Sequence, residues 1–242
     1  FGEGHILIAW VPGLAKTLTV ETLSKTLWLG FSRVHFTPDL LPSDVVGTEI
    51  YNQKTAEFLI KKGPIFNNFI LADEINRAPS KVQSALLEAM QEKQVTIGND
   101  SFSLEKPFIV LATQNPIEQS WTYELPEAQM DRFMMKVDLG YVWKEEEKKM
   151  YKKLSDNYDS IKIKKILTKK AISDIQKLVS QVHVSESIFD YVSDIVDASR
   201  SPELYSIDTI KPYLKYGVSP RWWIALIKAS QVWALMQGRS FV

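Results

Sequence analysis

The chain has 242 residues, 45% of them hydrophobic and 24% charged, which is enough to bury a core in one large domain or in a medium domain with a smaller one. Lysine plus arginine and aspartate plus glutamate balance at 29 each, so net charge gives no general attraction to nucleic acid or to anionic membrane. The absence of cysteine excludes disulfides, thiolate zinc sites and cysteine nucleophiles, and it fits a reducing, cytoplasmic location.

Two further features of the sequence argue against a membrane-spanning helix and against a histidine-rich metal site. No apolar run approaches the roughly 20 residues that a membrane-spanning helix needs, and the three histidines, His5, His35 and His183, are too widely separated in sequence to predict a histidine-rich metal site. The sequence opens at Phe1, almost at its first predicted strand and without the features of a signal peptide. We therefore expect a further segment to precede it.

The first half of the chain alternates short, apolar, β-rich runs with helical stretches, which is the pattern of a parallel sheet with crossover helices. Strands are predicted at 5–9, 33–36, 68–72, 107–112 and 133–137, and helices at 17–27 and 79–91. Two inserted β-hairpins are also predicted, near 50–60 and at 94–104. The second of them surrounds the turn signal Gly98-Asn99-Asp100.

After Gly140 the sequence changes to helical periodicity, with helices predicted at 144–155, 168–181, 185–200 and 219–237. The sequence therefore predicts an α/β domain over 1–140 and a small helical domain over 141–242. The lysine-rich stretch 144–170 could contact nucleic acid, but a solvated helical face with Glu–Lys pairs is the commoner arrangement. No aromatic side chains interleave with these lysines to stack on bases, so nucleic acid is not an expected partner.

A phosphate-binding loop is expected where the first strand leads into the first long helix, because loop amides and the helix N-terminus converge on an anion there. The segment at this place reads Trp10-Val11-Pro12-Gly13-Leu14-Ala15-Lys16-Thr17. Lys16 would neutralise phosphate charge and the Thr17 hydroxyl would bind Mg²⁺. Both glycines of the general G-x-x-x-x-G-K-[ST] pattern are replaced, so this segment alone fits an ordinary strand–turn–helix with a solvated lysine equally well.

Two carboxylates, Asp73 and Glu74, end the buried strand that begins at Asn68. Parallel sheets bind ligands at this end of their strands. Asp73 is predicted to hold Mg²⁺ through water, and Glu74 to orient and deprotonate the attacking water. An acidic pair can also simply cap the next helix, but its combination with Lys16 and Thr17 favours a nucleotide-hydrolysing site.

Two more polar positions follow. Asn115 ends the next apolar strand, where a neutral side chain can contact the γ-phosphate or position water, although Asn-Pro is also a common turn. Arg132 lies just before the last predicted strand. Considered alone, it is more typical of a surface ion pair than of a catalytic arginine.

Four blocks of sequence, in this order, resemble the MoxR family of AAA+ ATPases. They are residues 36–44 (FTPDLLPSD), 72–78 (ADEINRA), 112–116 (ATQNP) and 125–129 (LPEAQ). The resemblance covers residues 3–242. It implies a AAA+ P-loop core, with a parallel sheet flanked by helices, followed by a small all-helical lid domain.

The resemblance also implies roles for single residues. Asn115 corresponds to sensor 1, and Arg132 to the arginine finger that is offered to a neighbouring subunit's nucleotide. The segment 217–221 (GVSPR) resembles sensor 2, so Arg221 would reach the γ-phosphate from the lid. Glu74 would be the catalytic base, with Mg²⁺ on Thr17 and Asp73. The residues implied for ATP binding are Val11, Pro12, Gly13, Leu14, Ala15, Lys16, Thr17 and Leu18.

The implied function is ATP hydrolysis that drives chaperone-like remodelling or maturation of partner proteins. The implied assembly is a hexameric ring, and the implied partners carry von Willebrand factor A domains. Related AAA+ branches include DNA motors, so a DNA translocase is a third hypothesis.

Several tryptophans stand where the family has small or polar residues. Trp10 replaces the first glycine of the phosphate loop, Trp121 replaces a glycine after sensor 1, and Trp222 and Trp223 follow Arg221. An indole at position 10 can prevent the tight turn and the close backbone approach that glycine allows, unless its ring points outward. The alternative to an active ATPase is therefore a scaffold of the same fold with weakened nucleotide binding and no hydrolysis.

Overall fold

A computed structural model describes residues 2–10, 16–114, 123, 125–141, 143–155 and 163–242. The strands are β1 (Ile6–Trp10), β2 (Phe31–His35), β3 (Gly47–Asn52), β4 (Glu57–Lys62), β5 (Phe69–Asp73), β6 (Gln94–Ile97), β7 (Asp100–Ser103), β8 (Ile109–Gln114) and β9 (Met135–Leu139). The α-helices are α1 (Lys16–Thr26), α2 (Pro42–Val46), α3 (Ser80–Glu92), α4 (Glu127–Met130), α5 (Lys144–Ser155), α6 (Lys169–Gln181), α7 (Glu186–Arg200) and α8 (Pro220–Met236).

The core is a five-stranded sheet in the order β2-β5-β8-β1-β9, and every neighbouring pair is parallel. A parallel sheet needs cover on both faces, and successive residues of its strands serve the two faces in turn. Ile70 belongs to a buried cluster with Val82 and Leu86 of α3, whereas Leu71 belongs to a second cluster with Val20 of α1. The predicted α/β AAA+ fold is confirmed.

Because all five strands run the same way, the sheet has two chemically different edges. β1, β5 and β8 end at one edge, called here the carboxyl edge, and it carries Asp73 and Gln114. The strands begin at the opposite amino edge, where Met134 donates its backbone N–H to His5. A five-residue strand separates the two edges by about 13 Å.

Both predicted hairpins form, β3 with β4 and β6 with β7. The β6–β7 turn consists of two residues, and Gly98 has φ +60°, as the first position of a type II′ turn requires. The last strand of the sheet begins at Met135 rather than at residue 133. Its pairing with β1 starts only at Ile6↔Met135, because the preceding residues turn out of the ladder.

The C-terminal part is helical, with α8 packed against α6 and α7. Trp223 of α8 stacks on Phe189 of α7 with ring centroids 5.5 Å apart, so this tryptophan holds two helices of the lid together. The division of the chain at 140 and 141 stays a prediction. Among the described helices, none has the combination of length and apolar character that crossing a membrane requires.

The end of α1 provides a first test of the fold. Leu29 and Trp28 donate their backbone N–H groups to Ser24 and Lys25, which is the Schellman arrangement that favours glycine at the position of Trp28. Trp28 has φ +52°, with Lys165 Nζ 4.2 Å from the centroid of its ring. We expect Trp28→Gly to raise the free energy of unfolding by about 0.5–1 kcal/mol, since the relieved backbone strain exceeds an exposed cation–π contact.

Urea denaturation measures this change. Trp143→Gly is the matched control, because Trp143 is 86% exposed and does not have a positive φ. A loss of stability in Trp28→Gly that equals the loss in Trp143→Gly would contradict the assignment of strain to Trp28.

His5 provides a second test of the fold, through its effect on stability at low pH. Its Nδ1 accepts from Val110 N–H at 3.0 Å, and its Nε2 lies 3.2 Å from Met90 O, so the neutral ring links β8 to the end of α3. Burial is the main cause that lowers the pKa of His5 from 6.5 to about 4. A depressed histidine pKa stabilises the fold fully above pH 6.5, and this stability is lost as the pH falls towards 4.

The pH dependence of stability should show this loss. Between pH 7 and pH 4 we expect the wild-type free energy of unfolding to fall by about 3 kcal/mol more than that of His5→Gln, whose side chain does not titrate. Carboxylates titrate in both proteins, so the comparison removes their contribution. Parallel pH curves for the two proteins would contradict the role of His5.

Candidate nucleotide-binding site

Asp73 and Glu74 are held at the carboxyl edge by a hydroxyl from the neighbouring strand. Thr113 of β8 donates from Oγ1 to Asp73 Oδ1 at 2.7 Å, and the same Oγ1 accepts the Glu74 backbone N–H at 2.9 Å. Because β5 and β8 are parallel and in register at Ala72↔Ala112, the side chain of Thr113 falls directly beside Asp73. Sequence reasoning missed this role, although Thr113 stands at the matching place in the next strand.

Glu74 has two features that suit a catalytic base. Its backbone is left-handed, with φ 58° and ψ 48°, a conformation that costs a non-glycine residue about 1 kcal/mol or more and that is concentrated at functional sites. Its Oε2 is buried and has no hydrogen bond from any described residue. Arg77 Nη1 lies 3.1 Å from that oxygen, so the carboxylate is ion-paired with this arginine although the contact does not have hydrogen-bond geometry.

Two basic side chains of β2 face the carboxylates. Arg33 donates from Nε and Nη2 to Asp73 Oδ2. His35 Nδ1 lies 3.8 Å from Asp73 Oδ2, and its Nε2 lies 3.8 Å from Glu74 Oε2. Both oxygens of Asp73 thus have hydrogen-bond partners, while Glu74 Oε2 has none among the described residues.

The residues at this edge fit a magnesium ion. Asp73 offers carboxylate oxygens, and the second ligand predicted from the sequence, Thr17, carries a hydroxyl by residue type; both are hard oxygen ligands of the kind that Mg²⁺ prefers. Mg²⁺ also keeps several of its waters, so Asp73 can act through water without giving up Thr113. The donor set is therefore suitable for the predicted metal.

The predicted phosphate loop is described only in part. Lys16 and Thr17 begin α1, which follows β1 at the carboxyl edge, so the N-terminus of this helix lies at the same edge as Asp73. Leu18 is 41% exposed. Trp10 is the last residue of β1 and pairs with Leu139 of β9. Residues 11–15, Asn115 and Trp121 lie outside the described residues.

Arg132 and Arg221 lie together, at the amino edge of the sheet. Arg132 lies three residues before the start of β9, and Arg221 is the second residue of α8. Arg221 Nη1 lies 3.3 Å from Asp131 Oδ2 and its Nη2 lies 3.3 Å from Gln91 Oε1, and Ser219 also donates to Asp131. The two arginines line one cavity of about 160 Å³. Within one chain the structure therefore does not bring Arg221 to Asp73 and Glu74, because Asp131 and Gln91 hold it at the other edge.

The two tryptophans that follow Arg221 do not displace it from its contacts with Asp131 and Gln91. Trp222 is 38% exposed, and Trp223 packs on Phe189 away from the arginine. The Nε–H of Arg132 is buried and donates to no described residue. This second site therefore offers two guanidinium groups at one edge of the subunit.

Comparisons with known proteins agree with this architecture. The chain matches the family model described as "ATPase family associated with various cellular activities (AAA)" over residues 5–135, and the AAA lid domain model over residues 208–242. It is 45% identical to Chaperone MoxR1 of Mycobacterium tuberculosis over 240 residues, which are 99% of this chain and 63% of that protein. It is 44% identical to the uncharacterized protein YeaC of Bacillus subtilis, of which it spans 72%.

A crystal structure of a candidate ATPase from Cytophaga hutchinsonii superposes on this chain with a TM-score of 0.91 and 51% identity, covering 100% of this chain and 73% of that one. The chain thus spans just under two thirds of the length of Chaperone MoxR1 and somewhat more of the other two proteins. With the family models, these similarities show that the chain belongs to the MoxR family of AAA+ ATPases.

Proposed function

We propose that the chain binds and hydrolyses Mg·ATP at the carboxyl edge of its sheet. The observation that carries this proposal is the Asp73–Thr113–Glu74 arrangement, in which one hydroxyl fixes the first carboxylate and the backbone of the second. Glu74 Oε2 accepts no hydrogen bond from a described residue, and Arg77 Nη1 lies 3.1 Å from it as an ion-pair partner. A carboxylate oxygen without a hydrogen-bond donor can accept a proton from water.

The other residues at this edge have supporting roles. Lys16 and the amides of residues 11–15 bind the phosphates, and Leu18 continues the helix that begins there. Thr17 and Asp73 hold Mg²⁺, which when bound neutralises phosphate charge. Asn115 orients the γ-phosphate or the water. Glu74 deprotonates that water.

A second chain completes the site. Arg132 and Arg221 share the amino edge, so we propose that both serve the nucleotide of a neighbouring subunit rather than their own. Such a head-to-tail contact generates a closed ring when its rotation closes. Six subunits in that ring are what the sequence resemblance implies. The work done by this ring is remodelling or maturation of partner proteins, as the name of Chaperone MoxR1 suggests. Proteins with von Willebrand factor A domains are the partners that the sequence resemblance implies.

Phosphate release from Mg·ATP tests the proposal. We expect turnover that requires Mg²⁺ and that increases per chain with protein concentration, because each site needs a neighbour. The second candidate function, a non-hydrolysing scaffold of the same fold, is favoured by Trp10. Concentration-dependent assembly with no phosphate release would select the scaffold.

Trp10→Gly distinguishes a weakened site from an intact one. Trp10 ends β1 where the phosphate loop starts, and glycine would restore the close backbone approach to phosphate. We expect kcat/KM for ATP to rise by about tenfold, the equivalent of about 1.4 kcal/mol. Isothermal titration with a non-hydrolysable ATP analogue and a steady-state assay measure the change.

Trp28→Gly provides the control, since it removes the same side chain beyond the end of α1 that is opposite the predicted loop. Tight ATP binding and equal turnover in the wild type and in Trp10→Gly would show that the loop tolerates the indole.

A further inference from the structure

A groove of about 620 Å³ lies between the two hairpins, and its lining also includes residues of α2 and α3. All four residues of β6 (Gln94–Ile97) line it, and so do the first three residues of β3. Consecutive residues of a strand point to opposite faces, so a groove that contacts each of them runs along the strand's edge.

These two edges have unused hydrogen-bonding capacity. β6 pairs with β7 and β3 pairs with β4, and within the described residues neither strand has a second neighbour. In an antiparallel pair, alternate residues turn their backbone N–H and C=O groups away from the partner strand. The groove is therefore bordered by backbone groups to which another extended chain can bind by strand addition.

The charges of the groove are all of one sign. Glu49 of β3 and Glu88 of α3 line it, and no lysine, arginine or histidine is among the described residues of its lining. Neither carboxylate has a cationic partner in the described part of the chain. The Glu49 carboxylate reaches across to the β6–β7 turn, where a side chain at Gly98 would collide with it.

Apolar and aromatic groups complete the lining. The half-buried Val46 and Ala85 offer apolar surface. At the hairpin β3–β4, the rings of Tyr51 and Phe58 lie 5.2 Å apart, and Phe58 lines the groove although it is 67% exposed. Aromatic faces attract ammonium and guanidinium groups, and a lysine stem is itself apolar.

We propose that this groove binds an extended, lysine- or arginine-bearing segment of a partner protein, which adds as a strand to the open edge of β6. The negative lining repels nucleic acid. The described residues contain no group of three acidic or histidine side chains that could hold a metal ion here. The proposal rests on the proposed chaperone-like function in one respect only, namely that the segment belongs to a protein that is being remodelled. The binding itself requires no ATP turnover.

Fluorescence anisotropy with three short labelled peptides tests the proposal on the full chain without nucleotide. The first alternates valine and lysine, the second alternates valine and glutamate, and the third is the lysine peptide with alternate backbone amides methylated. We expect the lysine peptide to bind at least about tenfold more tightly than either of the others. Equal binding of the glutamate peptide or of the methylated peptide would overturn the proposal. Sedimentation shows whether the chains are monomeric, and if monomeric chains did not bind the lysine peptide, the proposal would also be overturned.

Matched substitutions locate the binding. The double variant Glu49→Gln with Glu88→Gln should weaken binding of the lysine peptide by about tenfold. Glu57→Gln with Glu92→Gln alters the same hairpin and the same helix outside the groove, and should change it by less than about twofold. Equal losses in both pairs would overturn the proposal. Phosphate release by the same preparations tests the ATPase proposal separately, because peptide binding and turnover can each fail without the other.

Discussion

Replacement of Arg132 by alanine is expected to lower the ATPase kcat of the assembled protein by about 10³-fold or more, with little change in ATP binding. Arg132 lies at the amino edge of its sheet and Asp73 at the carboxyl edge, so the arginine cannot act on the nucleotide of its own chain. A guanidinium group that stabilises transition-state charge from a neighbouring subunit produces a loss of this size. The assay uses the Trp10→Gly background, in which turnover is expected to be highest.

A mixing experiment tests whether the arginine acts across an interface. Arg132→Ala and Glu74→Gln chains should each be nearly inactive, but in a mixed ring some interfaces combine an intact arginine with an intact glutamate. With random mixing, about a quarter of the interfaces regain activity. Arg239→Ala, which removes an exposed arginine near the C-terminus, serves as the control. No recovery in mixtures that demonstrably assemble would contradict action between subunits.

The sequence predicted which arginines to consider but not that they would lie together. Asp131, which bonds to Arg221, is 90 residues away from it in the chain. That contact depends on where the start of α8 lies beside the C-terminal end of α4, which no local periodicity reveals. The sequence pattern likewise predicted the strands and both hairpins, whereas the sheet order β2-β5-β8-β1-β9 depends on long-range pairing.

Backbone conformation was the other property that sequence reasoning could not supply. Asp73 and Glu74 were predicted from their place after a buried strand, but the left-handed conformation of Glu74 was not, because glutamate has no preference for it. Trp28 is similar, since its helix ends in a motif that favours glycine. In both places the surrounding hydrogen bonds determine the backbone: at Trp28 they are local, to Ser24 and Lys25, whereas at Glu74 the partner is Thr113, 39 residues away.

Glu74→Gln is expected to reduce kcat by about 10²–10⁴-fold while ATP affinity and the urea midpoint stay unchanged. Glutamine keeps the size of the side chain and the backbone N–H that donates to Thr113, so the site should keep its shape. It loses the base and the partly exposed ion pair with Arg77, which contributes at most about 1 kcal/mol. Phosphate release, ATP-analogue binding and urea denaturation, all in the Trp10→Gly background, measure these three properties.

Two further substitutions distinguish a catalytic base from a carboxylate with a structural role. Glu92→Gln removes an exposed carboxylate at the end of α3 and should leave kcat within about twofold of its parent. Thr113→Val should give an intermediate loss, because it removes the hydroxyl that holds the Asp73 carboxylate and the Glu74 backbone N–H without removing either carboxylate. If Glu74→Gln and Thr113→Val lowered kcat equally and both shifted the urea midpoint, Glu74 would be structural. The lack of a hydrogen bond to Glu74 Oε2 would then no longer support water activation at this edge of the sheet.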